Sequence, residues 1–152
     1  MNKGISDRLK SKAKTEKDRD TVQPTVINDR LIEQYLVRYN KENEIFDQND
    51  LPIWSLSHLS LSYKNIIEID NLHGLTKLTK LQLDNNIITR IQNLDHLVNL
   101  QWLDLSFNLI EKIENLDALT KLTDLSLYCN KVTKLEGLDT LSELNVLSIG
   151  KN

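Results

Sequence analysis

The sequence has very little sulfur: Cys129 is its one cysteine and Met1 its one methionine among 152 residues. A single thiol excludes an internal disulfide and a thiolate zinc site, and it fits a reducing compartment. The four glycines build no phosphate-binding loop. No signal-peptide core and no apolar run of about eighteen residues occurs, so neither a secreted nor a membrane-spanning chain is expected. Nor does either sign of charge dominate. Nineteen Lys and Arg against twenty-two Asp and Glu leave a net charge of -3, which gives no global attraction to nucleic acid or anionic membrane. Neither is expected as a partner. What remains is 17.6 kDa of chain, 39% apolar, long enough for one domain with a core and a tail.

The tail comes first. Residues 1–20, MNKGISDRLKSKAKTEKDRD, carry seven basic side chains against four acidic ones and almost nothing to bury. This predicts a disordered basic tail over 1–23. Pro24 marks the entry to an ordered cap over 24–55. Asn28 suits a helix N-cap, and beyond it Leu31, Ile32, Tyr35, Leu36 and Tyr39 share one face at helical spacing. The pattern predicts an amphipathic helix over 28–39 that covers the next element.

From residue 56 the chain repeats itself. LSHLSLSYKNIIEIDNLHGLTK (56–77), LTKLQLDNNIITRIQNLDHLVN (78–99), LQWLDLSFNLIEKIENLDALTK (100–121) and LTDLSLYCNKVTKLEGLDTLSE (122–143) are four units of equal length, and LNVLSIGKN (144–152) begins a fifth. Within a unit the apolar spacing changes. Leu103 and Leu105 alternate, as a strand with one buried face requires, whereas Ile110, Ile113, Leu116 and Leu119 recur every third residue, as in 3₁₀-like turns. Both arms point apolar groups inward, and no single unit can bury its own faces. Asn86, Asn108, Asn130 and Asn152 recur between the arms, where an amide can pair the buried backbone groups of the turn. The pattern is a leucine-rich repeat. It predicts an α/β solenoid shaped as a horseshoe, with short parallel strands on the concave face, 3₁₀-like turns on the convex face and an N-terminal helical cap. Lys64 takes the Asn position in the first unit, where the stem can lie along apolar surface and the ammonium can reach water.

Catalysis has no footing in this pattern, and no enzyme, cofactor or metal is expected. His73 and His96 belong to the convex segment and cannot converge with His58 on a strand. Asp104 and Asp124 lie on neighbouring strands, yet carboxylates on an exposed sheet face stay solvated, which does not suit acid-base work. The outward strand positions form rows instead. His58, Lys80, Trp102, Asp124 and Val146 make one, Ser60, Gln82, Asp104, Ser126 and Ser148 the next, then Ser62, Asp84, Ser106, Tyr128 and Gly150. No structural rule demands an indole at 102. Trp102, with Asp104 and Asp124 beside it and Phe107 and Tyr128 near, is the expected protein-binding anchor, and a carboxylate rim favours a basic ligand.

The short repeats resemble those of phosphatase regulators, a spliceosomal scaffold and several axonemal proteins, which bind proteins through the concave sheet. Within that class LSYKNIIEIDNL (61–72), LQLDNNII (81–88), LQWLDLSFN (100–108) and LSLYCN (125–130) closely resemble the leucine-rich-repeat subunit of the dynein regulatory complex. The likeness is dense over 56–152, weaker over 22–55, and does not extend to the tail. Tyr128-Cys129 departs from the Phe-Asn of that family, and Cys129 reads as a tolerated edge thiol rather than a redox switch. The resemblance implies a non-enzymatic scaffold of the nexin link in the axoneme of motile cilia and flagella, placed in the cytoplasm and its cytoskeleton. Its implied partners are the other subunits of that complex, inner-arm dynein and, beyond them, the doublet microtubule. It also implies a repeat cap and coiled coils beyond residue 152, for the fifth unit is unfinished. Two alternatives stand: a phosphatase regulator or axonemal dynein light chain with the same coils, and an RNA-associated splicing scaffold using the basic tail.

Overall fold

The computed structural model describes residues 23–42 and 52–152. The basic tail, apart from its last residue, lies outside the described residues, as does the part of the cap between 43 and 51.

One helix opens the described chain, α1 (Asp29–Glu42). The Asn28 Oδ1 accepts the Leu31 amide at 2.9 Å, satisfying a donor that the first turn leaves unpaired. Asp29 sits in its first turn and Lys41 in its last, each at the dipole end that favours its charge. Ile32, Leu36 and Asn40 are buried along one stripe, with Leu31 and Tyr35 packed beside them. The helix runs past the expected end at Tyr39. Asn40 continues the buried stripe, and Arg38 pairs with Glu42 one turn on at 2.7 Å.

A short 3₁₀ turn at Ile53–Ser55 leads into the repeats. Each unit then contributes one strand: β1 (His58–Ser60), β2 (Lys80–Gln82), β3 (Trp102–Asp104), β4 (Asp124–Ser126) and β5 (Val146–Ser148). All pair in parallel in chain order. Leu59, Leu81, Leu103 and Leu125 at the strand centres are buried because the pleat turns every second side chain inward. The turn side closes the coil in two ways. Its second half folds through successive i+3 to i bonds, Leu97 N to Leu94 O and Leu100 N to Leu97 O at 2.9 Å each, repeated at 116–122, which is the 3₁₀ pattern. Its first half is tied across coils instead, as in Leu109 N to Ile88 O at 2.8 Å. The chain is therefore a stacked solenoid whose every coil leans on its neighbours.

The first coil is sealed by the segment that precedes α1. Thr25 pairs in parallel with Ile66, its amide donating to Asn65 O at 2.9 Å, and Ile27 is fully buried. That segment acts as part of a coil before the first one.

Candidate protein-binding face

The four recurring asparagines stitch the sheet to the turns. Asn108 Oδ1 accepts the Ile88 amide at 3.0 Å, while its Nδ2 donates to Leu83 O at 2.9 Å and Leu105 O at 3.0 Å. Asn86 serves Ile66 N, Leu61 O and Leu83 O in the same way. Asn130 takes Ile110 N and gives to Leu105 O and Leu127 O. Asn152 takes Val132 N and gives to Leu127 O and Ile149 O. Leu83 O, Leu105 O and Leu127 O each receive two of these amides, one from their own coil and one from the next, so the side chains form a continuous ladder. Asn86 and Asn108 are buried, whereas Asn152 is exposed. Lys64, at the same place in the first coil, contributes only its backbone: its amide donates to Asn86 Oδ1 at 3.0 Å, and its side chain is exposed.

A second ladder escaped the sequence reading. Asn71, Asn93 and Asn115 sit at φ 54°, 57° and 58°, and their Nδ2 atoms donate to Ile27 O, Ile69 O and Ile91 O at 2.9, 2.9 and 2.7 Å. Gly137 takes that place in the fourth coil at φ 68°, and a β-carbon there would lie 2.6 Å from Ile113 O. Asn alternating with Gly at one repeat position is the signature of left-handed backbone, and it is visible in the sequence. A second row of left-handed residues, Tyr63, Asn85, Phe107, Cys129 and Lys151, turns the chain out of each strand and has no such residue pattern to announce it.

The sheet face carries the predicted residues in rows. His58, Lys80, Trp102, Asp124 and Val146 are register partners across all five strands. Lys80 Nζ stands 4.2 Å from the centre of the Trp102 ring. The Asp104 Oδ1 accepts the Ser106 amide at 2.9 Å and the Ser106 hydroxyl at 2.5 Å, and Asp124 Oδ2 accepts the Thr123 hydroxyl at 2.7 Å. Phe107 meets Tyr128 edge to face, ring centres 5.6 Å apart, a favoured geometry for aromatic pairs. The Tyr128 ring lies against Gly150 of the next coil, where a β-carbon would come within 3.1 Å of it. His58 bonds the Ser57 hydroxyl through Nδ1 at 2.8 Å and stands at one end of its row. Val146, 49% exposed, stands at the other. The face thus holds two clusters, Lys80 with Trp102 beside the two carboxylates, and Phe107 with Tyr128.

Charge pairing sits elsewhere. Arg90 bonds Glu114 at 2.7 Å and Lys134 bonds Glu136 at 2.5 Å on the turn side. The hydrogen bonds from Arg90 and from Lys134 hold these two carboxyls below the ordinary glutamate value, burial opposing them. His73 and His96 lie tilted against each other there with ring centres 5.0 Å apart, away from His58. Among the described residues no group of three or more His, Cys, Asp or Glu is placed to hold a metal ion, and no helix is long and apolar enough to cross a membrane.

Parallel strands at a constant stride, asparagine ladders and a polar sheet face with an aromatic centre define a leucine-rich-repeat solenoid. The family model described as leucine rich repeats, in two copies, matches residues 54–96 and 98–140, and the chain belongs to that family. Among solved structures it is similar to an internalin, inlF, of Listeria monocytogenes, with 31% identity and a TM-score of 0.58, covering 62% of this chain and 28% of that one. It is also similar to internalin C2 of the same organism, with 28% identity, a TM-score of 0.52 and coverage of 64% and 53%. A chain of the Drosophila melanogaster SNF/U2A' complex shares 30% identity at a TM-score of 0.56, with coverage of 62% and 58%. This chain therefore spans less than two thirds of the length of each of these relatives. Comparison with curated proteins found no match.

Proposed function

We propose that this chain is a non-enzymatic scaffold that binds a protein partner through its sheet face, centred on Trp102. The observation that carries the reading is the pairing of aromatic side chains with positions that the coil does not need them to fill. Trp102 faces outward between buried Leu103 and its neighbours. Phe107 is 47% exposed and holds φ 53°, a conformation that costs a bulky residue about 1–2 kcal/mol and that Asn85 serves one coil earlier. The same φ recurs at Tyr63, Cys129 and Lys151, so the coil demands the backbone turn but not the ring, and the exposed aromatic at 107 is left over from what packing requires.

The partners we propose follow from the resemblance of residues 56–152 to the leucine-rich-repeat subunit of the dynein regulatory complex. They are the neighbouring subunits of that complex and inner-arm dynein, in the axoneme of motile cilia and flagella, where the scaffold regulates microtubule sliding. Co-purification of a tagged chain from isolated axonemes tests this. Recovery with those subunits is the expected result; recovery with a phosphatase and absence from axonemes contradicts it.

Beside the likeness to a chain of the SNF/U2A' complex stands one second reading, an RNA-associated splicing scaffold using the basic tail. Phosphate-driven binding weakens steeply with salt, so RNA binding by the full chain that collapses as salt rises is the result that selects this reading over the axonemal one.

A further inference from the structure

The sheet face carries a cation of its own. Lys80 reaches across from β2 to stand over the Trp102 ring, although Asp124, the register partner of Trp102 on its other side, is an anion. Lys80 makes no ion pair with it: the ion pairs of the described residues all lie on α1 or on the turn side. Among the described residues Asp104 and Asp124 have no basic partner. Their satisfied oxygens are Asp104 Oδ1 and Asp124 Oδ2, so one oxygen of each carboxylate has no donor among the described residues. The indole is thus engaged by a flexible ammonium while two carboxylates beside it have an open acceptor each.

Resting on the sheet-face reading above, we propose that the partner segment presents an arginine or lysine side chain that displaces Lys80 from Trp102 and completes the open oxygens of Asp104 and Asp124. Lys80 is a built-in competitor. An aromatic face attracts a cation through its quadrupole, and a guanidinium both stacks on an indole and forks onto carboxylates. A partner's guanidinium makes contacts that Lys80 does not make, namely to Asp104 and Asp124, and this difference drives the exchange. A partner segment of acidic character is opposed by the same carboxylates.

The test uses the full chain with Trp54→Phe, so that Trp102 is the single indole. Acetylated, amidated hexa-arginine is titrated against its fluorescence, with hexa-lysine and hexa-glutamate as comparisons. Hexa-arginine is expected to change the Trp102 emission and hexa-glutamate to leave it alone. Lys80→Met keeps the apolar stem and removes the competitor, and it should tighten hexa-arginine binding roughly two- to five-fold. Lys77→Met is the control of equal charge change; Lys77 is exposed and its side chain lies outside the outward strand rows. It should give a clearly smaller gain. The Asp104→Asn, Asp124→Asn double variant should weaken binding at least about three-fold, with circular dichroism unchanged. Absence of any Trp102 response to hexa-arginine, or a Lys80→Met variant that binds no tighter than Lys77→Met, overturns the displacement. Failure here leaves the sheet-face reading testable by itself, because a partner recovered from axonemes that is lost on Trp102→Ala still locates the interface without the cation.

Discussion

The first and last coils of this solenoid are built from the same unit and are not equally buried. At the first coil, Leu59, Ile66, Ile69 and Leu72 are completely or almost completely buried, because α1 and the segment at Thr25–Ile27 stand where a preceding coil would. At the last strand, Leu144, Leu147 and Ile149 are only partly buried and Val146 is half exposed. The repeat pattern already sets Leu147, in the short fifth unit, apart from Leu103. Burial separates them, since in a repeat protein the stabilising contact of one unit is the surface of the next.

This contrast sets the order of expected effects. Leu103→Ala, in a coil with neighbours on both sides, should cost about 2–5 kcal/mol, measured by urea unfolding; Leu147→Ala should cost less than half as much. Equal losses would mean that stability does not depend on flanking coils. Asn108→Leu leaves the Ile88 amide without an acceptor and removes one of two donors from Leu83 O and Leu105 O. With about 1–3 kcal/mol for each compromised group, the expected loss is about 3 kcal/mol. Asn152→Leu, whose amide is exposed, should shift the unfolding midpoint far less, and a match between the two variants would discount the buried ladder.

Much of this was legible at the level of the repeat. Strand placement, outward rows, the position of the first ladder and a helix after Asn28 all follow from spacing and residue chemistry. The second ladder was legible in principle, since Asn, Asn, Asn and Gly at 71, 93, 115 and 137 announce left-handed backbone, but the period-three apolar pattern around it drew the reading toward uniform turns. Other features were beyond reach. The pairing of Thr25 with Ile66 joins segments about forty residues apart with no shared pattern, and the reach of Lys80 over Trp102 depends on side-chain rotamers that an outward position leaves open. The expected stripe closes at Tyr39, and the structure carries it on to a buried Asn40, which apolar spacing does not mark.

Smaller effects refine the contrast. Asn115→Ala should cost about 1–2 kcal/mol, from the left-handed penalty for an ordinary residue and the lost bond to Ile91 O, and the loss should be visible as a modest shift in thermal unfolding. Glu114 is the least consequential. The Arg90 hydrogen bond holds its carboxyl below the ordinary value of 4.5, so its contribution is present above that pH and is lost as pH falls through the lowered value. Glu114→Gln should therefore be slightly less stable than the parent near neutrality and indistinguishable from it in strong acid. A gap that persisted in acid would assign the effect to packing rather than charge.

The central claim is that the sheet face around Trp102 is the working surface. Its most direct test is the affinity of the chain for the axonemal neighbour recovered with it, compared between parent and Trp102→Ala by titration calorimetry, with circular dichroism as the folding control. The account predicts an unchanged fold and a loss of at least about 2 kcal/mol in binding. Unchanged affinity in a folded Trp102→Ala variant would contradict it and move the interface to the turn side or the α1 cap.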